Sequence, residues 1–237
     1  LSNALETALD QNFNALDGTD TRNYGGIDGL PEAKALFAPL LGLDPSEVLV
    51  AGNSSLTLMY QYLDFALRFG VNGKGSAWSL EPGPISFLCP VPGYDRHFSI
   101  CEYLGIQMIP VPMNGEGPIM SVVEDLIQTD ASIRGIWCVP KYSNPSGVVY
   151  SDRVVRALAA AAKKAHPTFR IMWDNAYAVH DLGEFRKLTN IFEAAKTLGV
   201  EDRIVIFGST SKISFAGAGV ACLGASKPNI ASFKDYL

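Results

Sequence analysis

Lys212 closes the run "IVIFGSTSK", where an apolar stretch at 204–207 gives way to small polar residues. Lysine is almost never left fully buried without a partner, so a lysine in that place predicts a bound group. An amine in a partly desolvated site is biased towards its neutral form, and a neutral amine can condense with an aldehyde to give a Schiff base. Ser209 and Ser211 beside it offer hydroxyls to an anion. Asp174 ends a second apolar stretch, "RIMW", and is followed by Asn175, Ala176 and Tyr177. A carboxylate facing inward there must meet donors or a cation; a protonated ring nitrogen would serve, and capping of the next turn is the alternative. Gly52-Asn53-Ser54-Ser55 lies between an apolar run and a long helical stretch. Small residues there leave the first helical amides open to a phosphate, with simple N-capping by Asn53 or Ser54 as the alternative. Asn144 sits in a turn forced by Pro145 and Gly147. Tyr94 and His97 share one face of a starting helix, where an aromatic ring could stack on a flat ligand.

These residues need elements to carry them to one place. Short apolar runs predict strands over 48–51, 85–89, 107–111, 135–139, 170–173, 204–207 and 219–223. Amphipathic stretches predict helices over 54–69, 97–104, 121–129, 153–165 and 191–198. Alternation of the two predicts an α/β fold, a three-layer α/β/α sandwich around a mainly parallel seven-stranded sheet. Ligands of such sheets bind outside the carboxyl ends of the strands, and every residue singled out above directly follows a predicted strand.

Composition narrows the classes. The 237 residues are 48% hydrophobic and 18% charged with a net charge of −5, so no basic field invites nucleic acid. The apolar runs are cut by proline or glycine well short of the roughly 20 residues of a membrane span, and no signal-peptide pattern opens the chain, which reads as cytoplasmic. Cys89, Cys101, Cys138 and Cys222 stand singly among apolar neighbours and read as core thiols; no metal site is expected. Lys74 follows Gly73, but the earlier glycine of a phosphate-binding Walker loop is missing. "STSK" matches the Ser-x-x-Lys of β-lactamases, yet no Ser-Asp-Asn or Lys-Thr-Gly accompanies it. A dinucleotide site at Gly217-Ala-Gly219 fails because Cys222 holds the third glycine position.

A Schiff-base lysine, an aspartate for a pyridinium nitrogen and a phosphate turn at one sheet edge are the parts of a pyridoxal phosphate (PLP) site. With these residues, the sequence resembles fold-type I PLP enzymes of the class I/II aminotransferase kind, and especially the bacterial aspartate aminotransferase-like subgroup with its lysine in "STSKISFAGAG". The resemblance runs from about Asn23 to Leu223. It implies that Lys212 binds the cofactor covalently and shuttles a proton, and that Asp174 pairs with the ring nitrogen. Asn144 and Tyr177 would bond the ring's phenolic oxygen, Tyr94 would stack on the ring, and His97 would support Asp174. Asn53, Ser54, Ser55 and Ser209 would hold the phosphate. Tyr24, in "NYGGIDGLPEAK", resembles a tyrosine that reaches a phosphate across a dimer interface, implying a homodimer with a shared site; packing within its own chain is the alternative.

Two departures stand out. An arginine that commonly clamps the phosphate shortly beyond the lysine is missing from "FAGAGVAC". The arginine that grips the substrate carboxylate belongs to a C-terminal small domain expected outside this chain. The expected organisation is therefore an approach segment over 1–22 and a PLP-binding large domain over 23–237, a fragment of a larger protein. The implied activity is transfer of an amino group from an amino acid, aspartate first, to 2-oxoglutarate. A lyase or decarboxylase of the same fold, or a sensor without turnover, would keep the same ring-holding residues, although no basic helix-turn-helix precedes Tyr24.

Overall fold

The computed structural model describes residues 13–184, 187–214 and 216–237; residues 1–12 of the expected approach segment lie outside them. Eight strands form one sheet: β1 (Val48–Val50), β2 (Ser86–Val91), β3 (Gln107–Asn114), β4 (Gly117–Pro118), β5 (Ile133–Cys138), β6 (Arg170–Asp174), β7 (Ile204–Ser209) and β8 (Ala221–Ala225). Their spatial order is β1-β8-β7-β6-β5-β2-β3-β4. The centre, β7-β6-β5-β2-β3, is parallel, while β8 runs antiparallel to both of its neighbours and β4 antiparallel to β3. The sequence predicts seven strands. The eighth, β4, is a two-residue return of the chain against the end of β3, too short to carry an apolar pattern of its own.

The central strands are covered on both faces, as parallel strands are, and their side chains alternate between two cores. Ile171 and Trp173 of β6 and Ile204 and Ile206 of β7 enter one core, with α1 (Pro31–Leu41), α4 (Met120–Thr129), α5 (Asp152–Lys164) and α6 (Ile191–Lys196). Met172, Val205 and Phe207 enter the other, with α2 (Ser55–Arg68), α3 (Asp95–Tyr103) and α7 (Lys227–Lys234). This is the expected three-layer sandwich. Helix α5 shows why such segments are legible: Ser151 accepts a hydrogen bond from Val154 N, Asp152 opens the helix, and Lys163 and Lys164 close it. Each group complements the helix dipole, and Val154, Val155, Leu158 and Ala162 supply the buried stripe.

Helices α1 and α7 are absent from the sequence expectation. Helix α1 carries Pro39 in its interior, a residue that argues against helix when read locally. It persists because Phe37, Ala38 and Leu41 are buried against the sheet and Gly42, at φ 68°, ends it in the left-handed region. In β5, Gly135 permits close packing between strands: a Cβ there would fall 2.3 Å from Cζ of Phe87 on β2.

Candidate active site

Asp174 is the last residue of β6, in register with Phe207 of β7, and alternation sends its side chain to the same side as Met172. His97 comes from the first turn of α3, whose N-cap is Tyr94. His97 Nε2 lies 3.0 Å from Asp174 Oδ2, and both residues are buried. The imidazole is held on two further sides. Trp137 of β5 stacks on it at 4.3 Å between centroids and 8° between planes, and the Tyr94 ring stands edge-on at 5.1 Å. Trp137 Nε1 donates in turn to Cys101 Sγ at 3.2 Å. Asp174 Oδ1 is buried without a hydrogen-bond partner among the described residues, a condition that folded proteins rarely leave unresolved. Burial first, and then the Asp174 charge, raise the pKa of the Tyr94 hydroxyl above its ordinary value.

A cavity of about 240 Å³ opens at this edge of the sheet. Its walls bring together Ser54, Ser55, Tyr94, Asn144, Asp174, Tyr177, Ser209 and Lys212, all singled out from sequence. Ser54 is the N-cap of α2 but makes no side-chain capping bond, so the simple capping alternative for it is not what the chain adopts. The first amides of a helix lack intrahelical acceptors, and Ser55 and Leu56, which carry them here, line the cavity. Asn144 is held in a turn closed by Ser143 N to Val148 O at 2.8 Å and Gly147 N to Ser143 O at 2.6 Å. Lys212 ends a single 3₁₀ turn, Thr210–Lys212, that follows β7 directly.

Several expectations need correction. Lys212 is exposed at the cavity rim rather than partly desolvated, because its turn projects beyond the last paired residue of β7. Asn53 is exposed and is not part of the cavity wall; its backbone carbonyl faces Gly219, where a Cβ would come within 3.2 Å of it. Tyr24 is 100% exposed, so it does not pack within its own chain. His97 is not part of the cavity wall; it lies behind Asp174 and Tyr94, which are.

Ser211, also named from sequence, and Ala176 stand in the wall as well, while Leu56 and Val139 complete it without having been singled out. Trp137, likewise not singled out, braces His97 from within an apolar strand where it looks like ordinary core. No arginine lines the cavity among the described residues; Lys212 is the cation there. Among the same residues no cluster of His, Cys, Asp or Glu could hold a metal ion, and no helix is long and apolar enough to cross a membrane.

A family model described as aspartate amino-transferase matches residues 1–237, the whole chain. The chain belongs to the aspartate amino-transferase family. A Mycolicibacterium smegmatis protein named as a candidate aminotransferase is 53% identical over 92% of this chain and 51% of its own length. An aspartate aminotransferase of Corynebacterium glutamicum is 44% identical over 92% of this chain and 50% of its own. The crystal structure of an aspartate transaminase from Corynebacterium glutamicum superposes with a TM-score of 0.88 at 42% identity, covering 96% of this chain and 53% of that one. A Thermus thermophilus α-aminoadipate aminotransferase, solved with N-(5′-phosphopyridoxyl)-L-leucine, shares the fold at a TM-score of 0.72 and 22% identity, over 90% of this chain and 50% of that one. The family chain described here spans about half the length of the curated relatives it matches.

Proposed function

We propose that this chain is the large-domain portion of a PLP-dependent aminotransferase that passes the amino group of an amino acid, aspartate in the first instance, to 2-oxoglutarate. The observation that carries the reading is Asp174: a buried carboxylate, fixed through one oxygen by His97, with its other oxygen unpaired at a cavity that Lys212 borders. An acceptor of this kind fits a protonated pyridine nitrogen. PLP, when bound, supplies the electron sink that lets the substrate Cα–H bond break.

The chain's own residues supply the rest of the chemistry. Asp174 keeps a proton on the ring nitrogen by its charge, and His97 and Trp137 keep Asp174 from turning away. Tyr94 forms an aromatic wall, and Asn144 and Tyr177 offer polar groups to a ring oxygen. Ser54, Ser55, Ser209 and the first amides of α2 suit a phosphate dianion, in keeping with the positive end of a helix. Lys212 would hold the cofactor covalently, and its Nζ, once free, would take the proton from the substrate Cα.

Full exposure of Tyr24 supports a homodimer in which this ring belongs to the neighbouring site, and a dimer would also cover Lys212. The aspartate preference is supported by the Corynebacterium glutamicum relatives named for it. A small domain beyond 23–237 that grips the substrate carboxylate, and a cytoplasmic setting, complete the proposal. The test is an assay of the purified, PLP-loaded protein with a panel of amino acids and 2-oxoglutarate. Glutamate and oxaloacetate formed from aspartate faster than from other donors support the reading; glutamate formed only from other donors removes the aspartate clause, and amine or carbon dioxide release without glutamate removes transamination.

A further inference from the structure

We propose that His180 is a positioning residue for the lysine turn, a role that rests on the reading of Lys212 as the cofactor anchor. Past Asp174 the chain pairs once more, Asn175 N to Phe207 O at 2.8 Å, and then folds through two overlapping turns, Ala178 N to Asn175 O at 3.2 Å and His180 N to Tyr177 O at 3.1 Å. These turns bring the His180 ring against the chain that follows β7. Nε2 lies 2.9 Å from the backbone carbonyl oxygen of Lys212. A carbonyl only accepts, so Nε2 carries the hydrogen and the tautomer is set. Nδ1 is buried and has no partner among the described residues, so the ring's one bond of this kind is the one to Lys212.

The same ring stands edge-on to Tyr177, at 5.6 Å between centroids and 81° between planes. One side chain therefore joins two groups of the cavity wall, Tyr177 and Lys212, that follow different strands. Its bond falls where the turn most needs one. Thr210 pins the start of the turn to Val220, through Thr210 N to Val220 O and Val220 N to Thr210 Oγ1, both 2.9 Å. His180 pins the far end, at the residue whose side chain must return to one place after every release.

Two substitutions separate the bond from the ring. His180→Phe keeps an aromatic edge for Tyr177 and loses the donor; His180→Gln loses the ring and places an amide N–H near the position of Nε2. Hydrogen–deuterium exchange of the 210–214 amides in the full chain without cofactor reads the turn. Borohydride trapping at subsaturating PLP, followed by peptide mapping, reads capture at Lys212. His180→Phe is expected to speed exchange at Ile213 and Ser214 about fivefold, the loss of one neutral hydrogen bond, and to lower trapping at Lys212 in parallel. His180→Gln is expected to restore both to within about twofold of the parent, with the β7 amides unchanged throughout. Should His180→Phe fail to fold, His180→Asn, whose amide reaches only the Nδ1 position, carries the same expectation. Parental exchange and trapping in the variants without the donor, or equal losses in His180→Gln and His180→Phe, would overturn the proposal. Absence of trapping at Lys212 in the parent as well would overturn the aminotransferase reading, while the exchange data would still decide the role of the bond.

Discussion

His97 Nε2 and Asp174 Oδ2 lie 3.0 Å apart with both side chains buried, and this contact leaves Asp174 Oδ1 as the unsatisfied acceptor at the floor of the cavity. A carboxylate is expensive to bury, and a single hydrogen bond does not offset the whole penalty. The parallel Trp137 ring and the edge of Tyr94 fix the imidazole, so the free oxygen is held in one direction. The protein accepts a poorly satisfied group in exchange for a preset acceptor.

That relationship predicts a split between two substitutions. Asp174→Ala leaves the His97 donor buried and alone, and is expected to destabilise the unloaded protein by about 1–3 kcal/mol. Asp174→Asn keeps an acceptor for His97 and is expected to lose less than about 1 kcal/mol, while transamination falls at least about 100-fold for want of the charge. Urea unfolding without cofactor and steady-state rates with it measure the two effects separately. Equal stability losses in the two variants would contradict the assignment.

Gly219 predicts a steric effect on the lysine turn. A Cβ at this position would lie 2.9 Å from Ser211 Oγ and 3.2 Å from the Asn53 carbonyl oxygen. Gly219→Ala must therefore turn the Ser211 hydroxyl, a cavity-wall group beside Lys212, away from its place and press the Asn53 carbonyl back by a few tenths of an ångström, while the sheet stays as it is. An affinity for PLP lower by about tenfold, with far-ultraviolet circular dichroism unchanged, is the expected result of a titration followed by absorbance.

Alkaline stability tests the burial of Cys222. Burial pushes its thiol from the ordinary value of 9.0 up to about 12, partly offset by a hydrogen bond from the Gly208 backbone. The native chain holds this proton where the unfolded chain releases it, so the contribution to stability is complete below pH 9.0 and is lost as pH rises towards about 12. The full span corresponds to about 4 kcal/mol. Cys222→Ala is expected to flatten the fall in unfolding free energy between pH 9.0 and about 11; an unchanged slope would show that the thiol is not sequestered as described.

The layout was legible wherever side-chain period and chemistry agreed. Strands such as β6 and β7 announced themselves by apolar runs that end in a polar residue, and their polar ends, Asp174 and Ser209, do meet in one cavity. Helix α1 was hidden by Pro39, and β4 by its length, because tertiary burial or pairing rather than local propensity maintains them. Trp137 and His180 were illegible for another reason. A tryptophan inside an apolar strand looks like core until the imidazole stacked on it is known, and His180 gains its role only when a different strand brings the Lys212 carbonyl within 2.9 Å. Tyr24 and Lys212 are both exposed in this chain, a state that their residue types alone do not announce.

The central claim is that Lys212 is the residue that captures PLP, and the most direct measurement is borohydride reduction of the protein mixed with PLP, followed by peptide mapping. A reduced pyridoxyl adduct on Lys212 is expected, with disappearance of the visible absorbance band when aspartate is added before reduction. An adduct spread over surface lysines such as Lys74 and Lys163 with none on Lys212, or no adduct at all, would contradict it.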